Sequence, residues 1–200
     1  MRQRIDALLQ KRIQEHVPLP YLLGQAWFAG LAFRCDQRAI IPRSPIAELI
    51  LDEFQPWYQG PQPRRILDLC CGGGCIGLAA AHYQPLASVD LADIDPQALA
   101  LARENAQLLG LQQRVNVIRS DLFQSLPAQQ YDLILSNPPY VDRADLAAMP
   151  AEYHHEPGLD LGSGADGLDL TRAILAHAGD YLFETGLFVV EVGTSWPDLE

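Results

Sequence analysis

The chain has no apolar run long enough to span a bilayer. Residues 1 to 15 are charged and mixed rather than leader-like, so the expected compartment is the cytosol and no membrane partner is expected. Basic residues are scarce: 14 Lys and Arg stand against 25 Asp and Glu, a net charge of -11. There is no basic stripe to follow a phosphate backbone, so direct nucleic-acid binding is not expected, and a small molecule or a basic protein suits this surface better. Cysteine is limited to Cys35, Cys70, Cys71 and Cys75. Adjacent Cys70 and Cys71 cannot readily bridge each other, and the spacing is not that of paired zinc knuckles. The four are expected as small buried hydrophobes in a reducing compartment. There is no internal repeat and no low-complexity tract. What remains is 200 residues with an apolar share of 48%, enough for one domain with a real core and a small appendage.

The amino-terminal third is irregular. Ile5, Leu8, Leu9 and Ile13 recur at helical spacing, which predicts a short helix over residues 4 to 15 that ends before Pro18 and Pro20. Alternation over Ala26–Gly30 and Leu31–Cys35 predicts a hairpin, with Trp27 and Phe28 packed in a core or between domains, the alternative being an exposed role in gripping a protein substrate. A helix from Pro45 to about Phe54, capped by Ser44, follows. Residues 55 to 64, rich in Pro and Gly, read as a linker.

From residue 65 strands and helices alternate. Strands are predicted at Ile66–Cys70, Ala87–Ala92, Val115–Arg119, Tyr131–Ser136 and Leu187–Val192. Helices are predicted at Cys75–His82, Pro96–Leu109 and Leu168–Phe183; Asp95 caps the second and Gly110 stops it. Such alternation implies right-handed crossovers and an α/β fold: a mostly parallel, twisted, Rossmann-like sheet with helices on both faces.

Two motifs carry chemistry. The first strand opens into Asp68-Leu69-Cys70-Cys71-Gly72-Gly73-Gly74, where glycines let the backbone pass close to a ligand. Asp93 ends the second strand, where a carboxylate can take a ribose diol, with Ile94 beside it. Gly72-x-Gly74-x-x-Gly77 matches the dinucleotide fingerprint. Asp68 ahead of the loop would repel a pyrophosphate but attract the ammonium of S-adenosylmethionine; Asp121, followed by Leu122, could then take the adenine amine or simply cap a turn.

The second motif is Asn137-Pro138-Pro139-Tyr140, directly after the fourth strand. Two prolines have fixed φ and no N–H, so the chain makes a stiff corner there. Asn-Pro-Pro is also a common turn. Beside the glycine loop, however, the tetrapeptide is suited to grip a planar nitrogen: Asn137 and the Pro138 carbonyl accept its hydrogens, and Tyr140 lies against its plane. Strands one and four are expected to be neighbours at the switch point, which brings the two motifs together.

Asp-x-x-x-Gly-x-Gly with Asn-Pro-Pro-Tyr resembles the class I S-adenosylmethionine-dependent methyltransferases that modify glutamine side-chain amides in proteins. Ala26–Leu31, Pro42-Arg43-Ser44-Pro45-Ile46 and Glu48-Leu49-Ile50 are similar to the branch acting on large-subunit ribosomal protein three. The sister branch, acting on release factors, typically has Pro-Arg-Pro-Asp-Thr-Glu where this chain has Pro-Arg-Ser-Pro-Ile-Ala. His155-Glu156-Pro157, Gly164 and Asp166-Gly167-Leu168 are also similar to the family. The resemblance implies S-adenosylmethionine bound by Asp68, Cys70, Cys71, Gly72, Gly73, Gly74, Asp93, Ile94, Asp121, Leu122 and Asn137. It implies a basic ribosomal protein as substrate, held by Asn137, Pro138, Pro139 and Tyr140, with Asn137, Pro138 and Tyr140 catalytic. It also implies a helical amino-terminal domain and two further strands, so the chain reads as truncated at both ends. The expected layout is a helical remnant over 1–17, the hairpin and linking helix over 18–60, and the cofactor domain over 61–200. The alternatives are release-factor methylation, an adenine-specific nucleic-acid methyltransferase, a nicotinamide dehydrogenase, and a non-catalytic ribosome assembly factor. Arg43 and Glu48 are expected to anchor the amino-terminal piece, and His154-His155-Glu156 offers only a weak metal pattern.

Overall fold

The structure, a computed structural model, describes residues 2–141, 149–157, 166–193 and 197; Gly164 lies outside them. Helix α1 (Arg2–Gln14) and the one-turn α2 (Leu19–Leu23) precede a hairpin of β1 (Gln25–Phe28) and β2 (Leu31–Arg34). Helix α1 ends before Pro18 and Pro20 as expected; proline at the second position of a helix sacrifices no hydrogen bond, so α2 forms across Pro20. Ala29 and Gly30 both have positive φ, 47° and 76°, the geometry a two-residue hairpin turn requires. Phe28 meets Phe33 edge-on with centroids 6.5 Å apart. Phe28 is core as expected, whereas Trp27, at 66% exposure, is not: strand alternation sends it to the opposite face.

Helix α3 (Ile46–Leu51) begins after Ser44, whose Oγ accepts from the Ile46 N–H at 3.1 Å. It stops short of the expected Phe54 because Glu53 and Phe54 take positive φ, 52° and 63°, where a helix cannot continue.

Five parallel strands then form the sheet, in the order β5-β4-β3-β6-β7. They are β3 (Arg65–Leu69), β4 (Ser88–Asp93), β5 (Val115–Arg119), β6 (Tyr131–Ser136) and β7 (Leu182–Val190). Helices α4 (Cys75–Tyr83), α5 (Pro96–Leu108) and α6 (Asp169–Ala178) make three of the four crossovers, and turns over residues 120–130 join β5 to β6. Strands β3 and β6 are buried almost throughout, as expected of strands covered on both faces. Asp95 caps α5 by accepting from the Gln97 N–H at 2.8 Å, and Gly110 closes it at φ 69°.

The last strand departs from expectation. The apolar pattern predicts it at Leu187–Val192 with Phe183 in the preceding helix; instead that helix ends at Ala178, a short 3-10 turn follows, and Phe183 lies in β7. Tyr131 pairs with Leu182 but Leu133 with Leu187, so the strand carries a bulge around Glu184-Thr185-Gly186. That polar interruption splits the apolar pattern and hides the first half of the strand.

The core has two main parts. One packs α3, α4, the hairpin and one face of the sheet; the other packs α6 and Phe123 on the opposite face. Among the described residues no helix is long and apolar enough to cross a membrane.

Candidate active site

The crossover at β3 and β6 opens the sheet's carboxyl edge. Leu69 pairs with Ser136, and the Ser136 Oγ–H donates to the Leu69 carbonyl at 2.7 Å. The glycine loop after β3 and the Asn137 corner after β6 therefore start side by side, the position where ligands sit in open parallel sheets.

The loop is held in a constrained shape. Gly72 and Gly74 have φ 52° and 79°, and Cys70, which carries a side chain, also sits at φ 59°. A non-glycine residue there is strained by roughly 1–3 kcal/mol, the kind of strain found at ligand sites. Asp93 Oδ2 accepts from the Gly72 N–H at 2.8 Å, and its Oδ1 accepts from the Asp95 N–H at 2.9 Å. Asn105 on α5 supports the loop from below, donating through Nδ2 to the Gly73 carbonyl at 2.9 Å and accepting from the Arg34 N–H at 2.8 Å. One amide thus links loop, helix and hairpin.

Asp68 lies under the loop, fully buried. Its Oδ2 accepts from the Gly77 N–H at 2.7 Å, while Oδ1 is buried without a partner among the described residues. Burial pushes its carboxyl up to about 7, with nearby Asp93 adding to the effect. Burial raises Asp93 as well.

A cavity of about 260 Å³ opens beside the loop. Of the residues expected for the site it gathers Cys70, Gly72, Asp93, Ile94, Asp121, Leu122, Asn137 and Pro139, joined by Ile40, Ser120 and Leu170. A narrow cleft shares Ile40, Cys70, Gly72 and Asn137 with it and adds Cys71, Gly73 and Arg43. Asp68, Gly74, Pro138 and Tyr140 line neither space. Gly74 packs against Leu91 and Ala102; Pro138 is buried; the Tyr140 hydroxyl donates to Glu191 Oε1 at 2.8 Å.

Asn137 stands where cavity and cleft meet, and its Oδ1 is buried with no hydrogen-bond partner among the described residues. An acceptor left bare in this way costs about 1–3 kcal/mol until a donor arrives. Among the described residues the cavity wall bears Asp93, Asp121, Ser120 and Asn137 and no Lys or Arg. It fits a ligand rich in hydroxyl and amine donors, not a pyrophosphate.

Ile40 and Leu170 gave no sequence signal. Ile40 comes from the loop after the hairpin and roofs the cavity. Glu156, its side chain 3% exposed, receives Arg43 through two hydrogen bonds of 2.7 and 3.1 Å and the Ile41 N–H at 3.2 Å, and the Arg43 guanidinium lies 4.9 Å from the Tyr153 ring centroid. Arg43 thereby ties the Ile40 segment to the chain beyond the Asn137 corner, while Glu48 is exposed on α3. His155 Nε2 bonds the Glu15 carbonyl at 2.8 Å, and among the described residues no group of three His, Cys, Asp or Glu could hold a metal. None of the four cysteines forms a disulfide; Cys35 and Cys71 are buried, and burial holds the Cys71 and Cys75 thiols well above the ordinary range.

Sheet order, glycine loop and donor-seeking cavity define a methyltransferase fold, and the family model of the methyltransferase small domain matches residues 47–153. The hMettl16 catalytic domain, solved with a MAT2A 3'UTR hairpin, superposes with TM-score 0.66 at 15% identity, over 98% of this chain and 69% of that one. A Pyrococcus furiosus methyltransferase superposes with TM-score 0.60 at 18% identity, over 99% of this chain and 81% of that one. Among curated relatives, the ribosomal protein uL3 glutamine methyltransferase of Xanthomonas campestris is 52% identical over 97% of this chain and 63% of its own length. That of Bordetella pertussis is 45% identical over 100% of this chain and 70% of its own. The chain belongs to this methyltransferase family, in the group of the ribosomal protein uL3 glutamine methyltransferases. It spans 63% and 70% of the length of these two relatives.

Proposed function

We propose that the protein transfers a methyl group from S-adenosylmethionine to the side-chain amide nitrogen of a glutamine in ribosomal protein uL3. The observation that carries this reading is the buried, unpartnered Asn137 Oδ1 at the junction of cavity and cleft. A primary amide brings the donors that this oxygen lacks.

In this reading the cavity takes the nucleoside. Asp93 receives the ribose hydroxyls beside Ile94; Asp121 and Leu122 border the adenine; Cys70, Cys71, Gly72, Gly73 and Gly74 give the loop its close approach. Asp68 holds the loop through Gly77 and supplies negative charge beneath the donor's ammonium. The bound cofactor contributes an electrophilic methyl group. Asn137 Oδ1 and the Pro138 carbonyl each accept one amide hydrogen, which orients the nitrogen and raises its electron density, while Pro139 borders the amide plane and Tyr140, outside both spaces, holds the corner from behind. A delocalised amide lone pair is a weak nucleophile, so positioning supplies most of the rate. The proton released on N-methylation passes to water.

The net charge of -11 supports a basic protein partner over nucleic acid. A cytosolic setting and the layout 1–17, 18–60 and 61–200 accompany this reading. The test offers methyl-labelled S-adenosylmethionine with uL3, a release factor, DNA or RNA, and maps the label by mass spectrometry. Label on one uL3 glutamine supports the assignment. Label on a release factor moves it to the sister branch, and label only on nucleic acid overturns it.

A further inference from the structure

Strand β7 ends beside the Asn137 corner. Val190 pairs with Ser136, and the Glu191 N–H continues the ladder by donating to the Ser136 carbonyl at 2.9 Å. Glu191 and Asn137 are thus each one residue past the last paired position of adjacent strands. Glu191 Oε1 accepts the Tyr140 hydroxyl at 2.8 Å. Gly193 closes against the same ring: a Cβ there would lie 2.9 Å from Tyr140 Cδ2 and 3.3 Å from its carbonyl oxygen. The segment 191–193 therefore grips both ends of Tyr140.

A carboxylate is a costly device for this purpose. Glu191 Oε2 is buried with no hydrogen-bond partner among the described residues. An uncompensated buried polar atom destabilises a fold, and a neutral acceptor would pin a tyrosine without that cost. What a carboxylate adds is strength, because a phenol donating to an ionised oxygen is held about twice as firmly as by a neutral one. We infer that Glu191 is a positioning residue of the transfer site, fixing Tyr140 and with it the Asn137-Pro138-Pro139 corner that receives the substrate amide, and acting through Tyr140 alone. This rests on the proposed amide methylation for its kinetic arm; its spectroscopic arm does not.

The kinetic arm compares Glu191→Ala, Glu191→Gln and Tyr140→Phe. Misplacing a group that orients a reactant costs on the order of 100-fold, so Glu191→Ala should lose about that in kcat with uL3, while S-adenosylmethionine binding by calorimetry stays within about 2-fold. Glu191→Gln, which keeps an acceptor, should recover about 10-fold of the loss, and Tyr140→Phe with Glu191→Ala should be no slower than the worse single variant. A Glu191→Ala enzyme within about 2-fold of the parent, a glutamine variant as slow as alanine, or additive effects would each overturn the proposal.

The second arm reads the Tyr140 ring by carbon-13 NMR, with its resonance assigned by Tyr140→Phe. Burial first, and the bond to Glu191 next, push the Tyr140 hydroxyl up to about 12, with Arg43 opposing and Tyr153 adding slightly. Glu191→Ala should bring that titration down toward the ordinary tyrosine value and give the ring a second environment. An unmoved titration and a single environment would reject the coupling. If the parent protein methylates no glutamine, the functional reading fails by itself, and the NMR arm still decides whether Glu191 fixes Tyr140.

Discussion

The Gly72 amide donates to Asp93 Oδ2 at 2.8 Å, fastening the glycine loop after β3 to the end of β4. The other oxygen of the same carboxylate holds the Asp95 N–H at the start of α5. Asp93→Ala removes both acceptors and a cavity wall together. Losing these bonds should lower stability by about 1–3 kcal/mol in urea unfolding. S-adenosylmethionine affinity should fall at least about 10-fold by calorimetry, the share of one lost hydrogen-bonded contact of about 1.4 kcal/mol. Unchanged affinity in a folded variant would remove Asp93 from the cofactor site.

Asp68 gives the fold a pH dependence of defined sign. Its folded carboxyl lies near 7, above the unfolded value of 3.8, so between these the native state binds more protons than the unfolded one. Stability from this group is full below about pH 4 and is lost as pH rises toward 7, by an amount on the order of a few kcal/mol. Asp68→Asn should flatten the loss while keeping an oxygen for the Gly77 N–H. Urea midpoints measured from pH 4 to 8 check this; an Asp68→Asn profile parallel to the parent's would contradict it.

Helix α4 sits on β3 and β4 only because residue 77 has no side chain. A Cβ on Gly77 would lie 2.7 Å from Asp68 Cβ and closer still to a Leu91 methyl. Gly77→Ala should cost roughly 1–3 kcal/mol or more by overpacking, despite alanine's better helix propensity. A lowered urea midpoint is expected, and a raised one would show that α4 can shift freely.

Arg43 and Glu156 form a pair that is buried at one end. Arg43→Ala leaves Glu156 with the Ile41 N–H but no counter-charge, which should destabilise by about 2–4 kcal/mol. Adding Glu156→Ala should restore part of that. Denaturant unfolding of the two singles and the double checks the coupling, and strict additivity would show none.

Much of the architecture was legible because its signals are local. Asp95, Pro96 and Gly110 mark the ends of α5 by backbone chemistry alone; Tyr131–Ser136 has the length of a buried strand, and Val115–Arg119 alternates β-branched and polar residues as an edge strand does. Strand β7 was only half legible because its bulge inserts Glu184, Thr185 and Gly186 into an apolar pattern. Trp27 was misplaced because composition cannot say which face of a two-stranded ribbon meets the core. In the candidate site, the glycine loop and Asn137 declare themselves by residue type. Asn105 and Glu191 do not, and Glu156 shows only in the family resemblance: each acts across more than 30 positions, joining the loop, Tyr140 and the Ile40 roof to elements remote in the chain. Such long-range pairings leave no local pattern to read.

The most direct measurement is made on Asn137→Ala, with cofactor affinity and methyl transfer followed in the same preparation. S-adenosylmethionine should bind within about 3-fold of the parent, while transfer to the uL3 glutamine should fall by at least about 100-fold, the scale of losing an orienting polar contact to the reacting group. A variant that turns over at the parent rate would contradict the account.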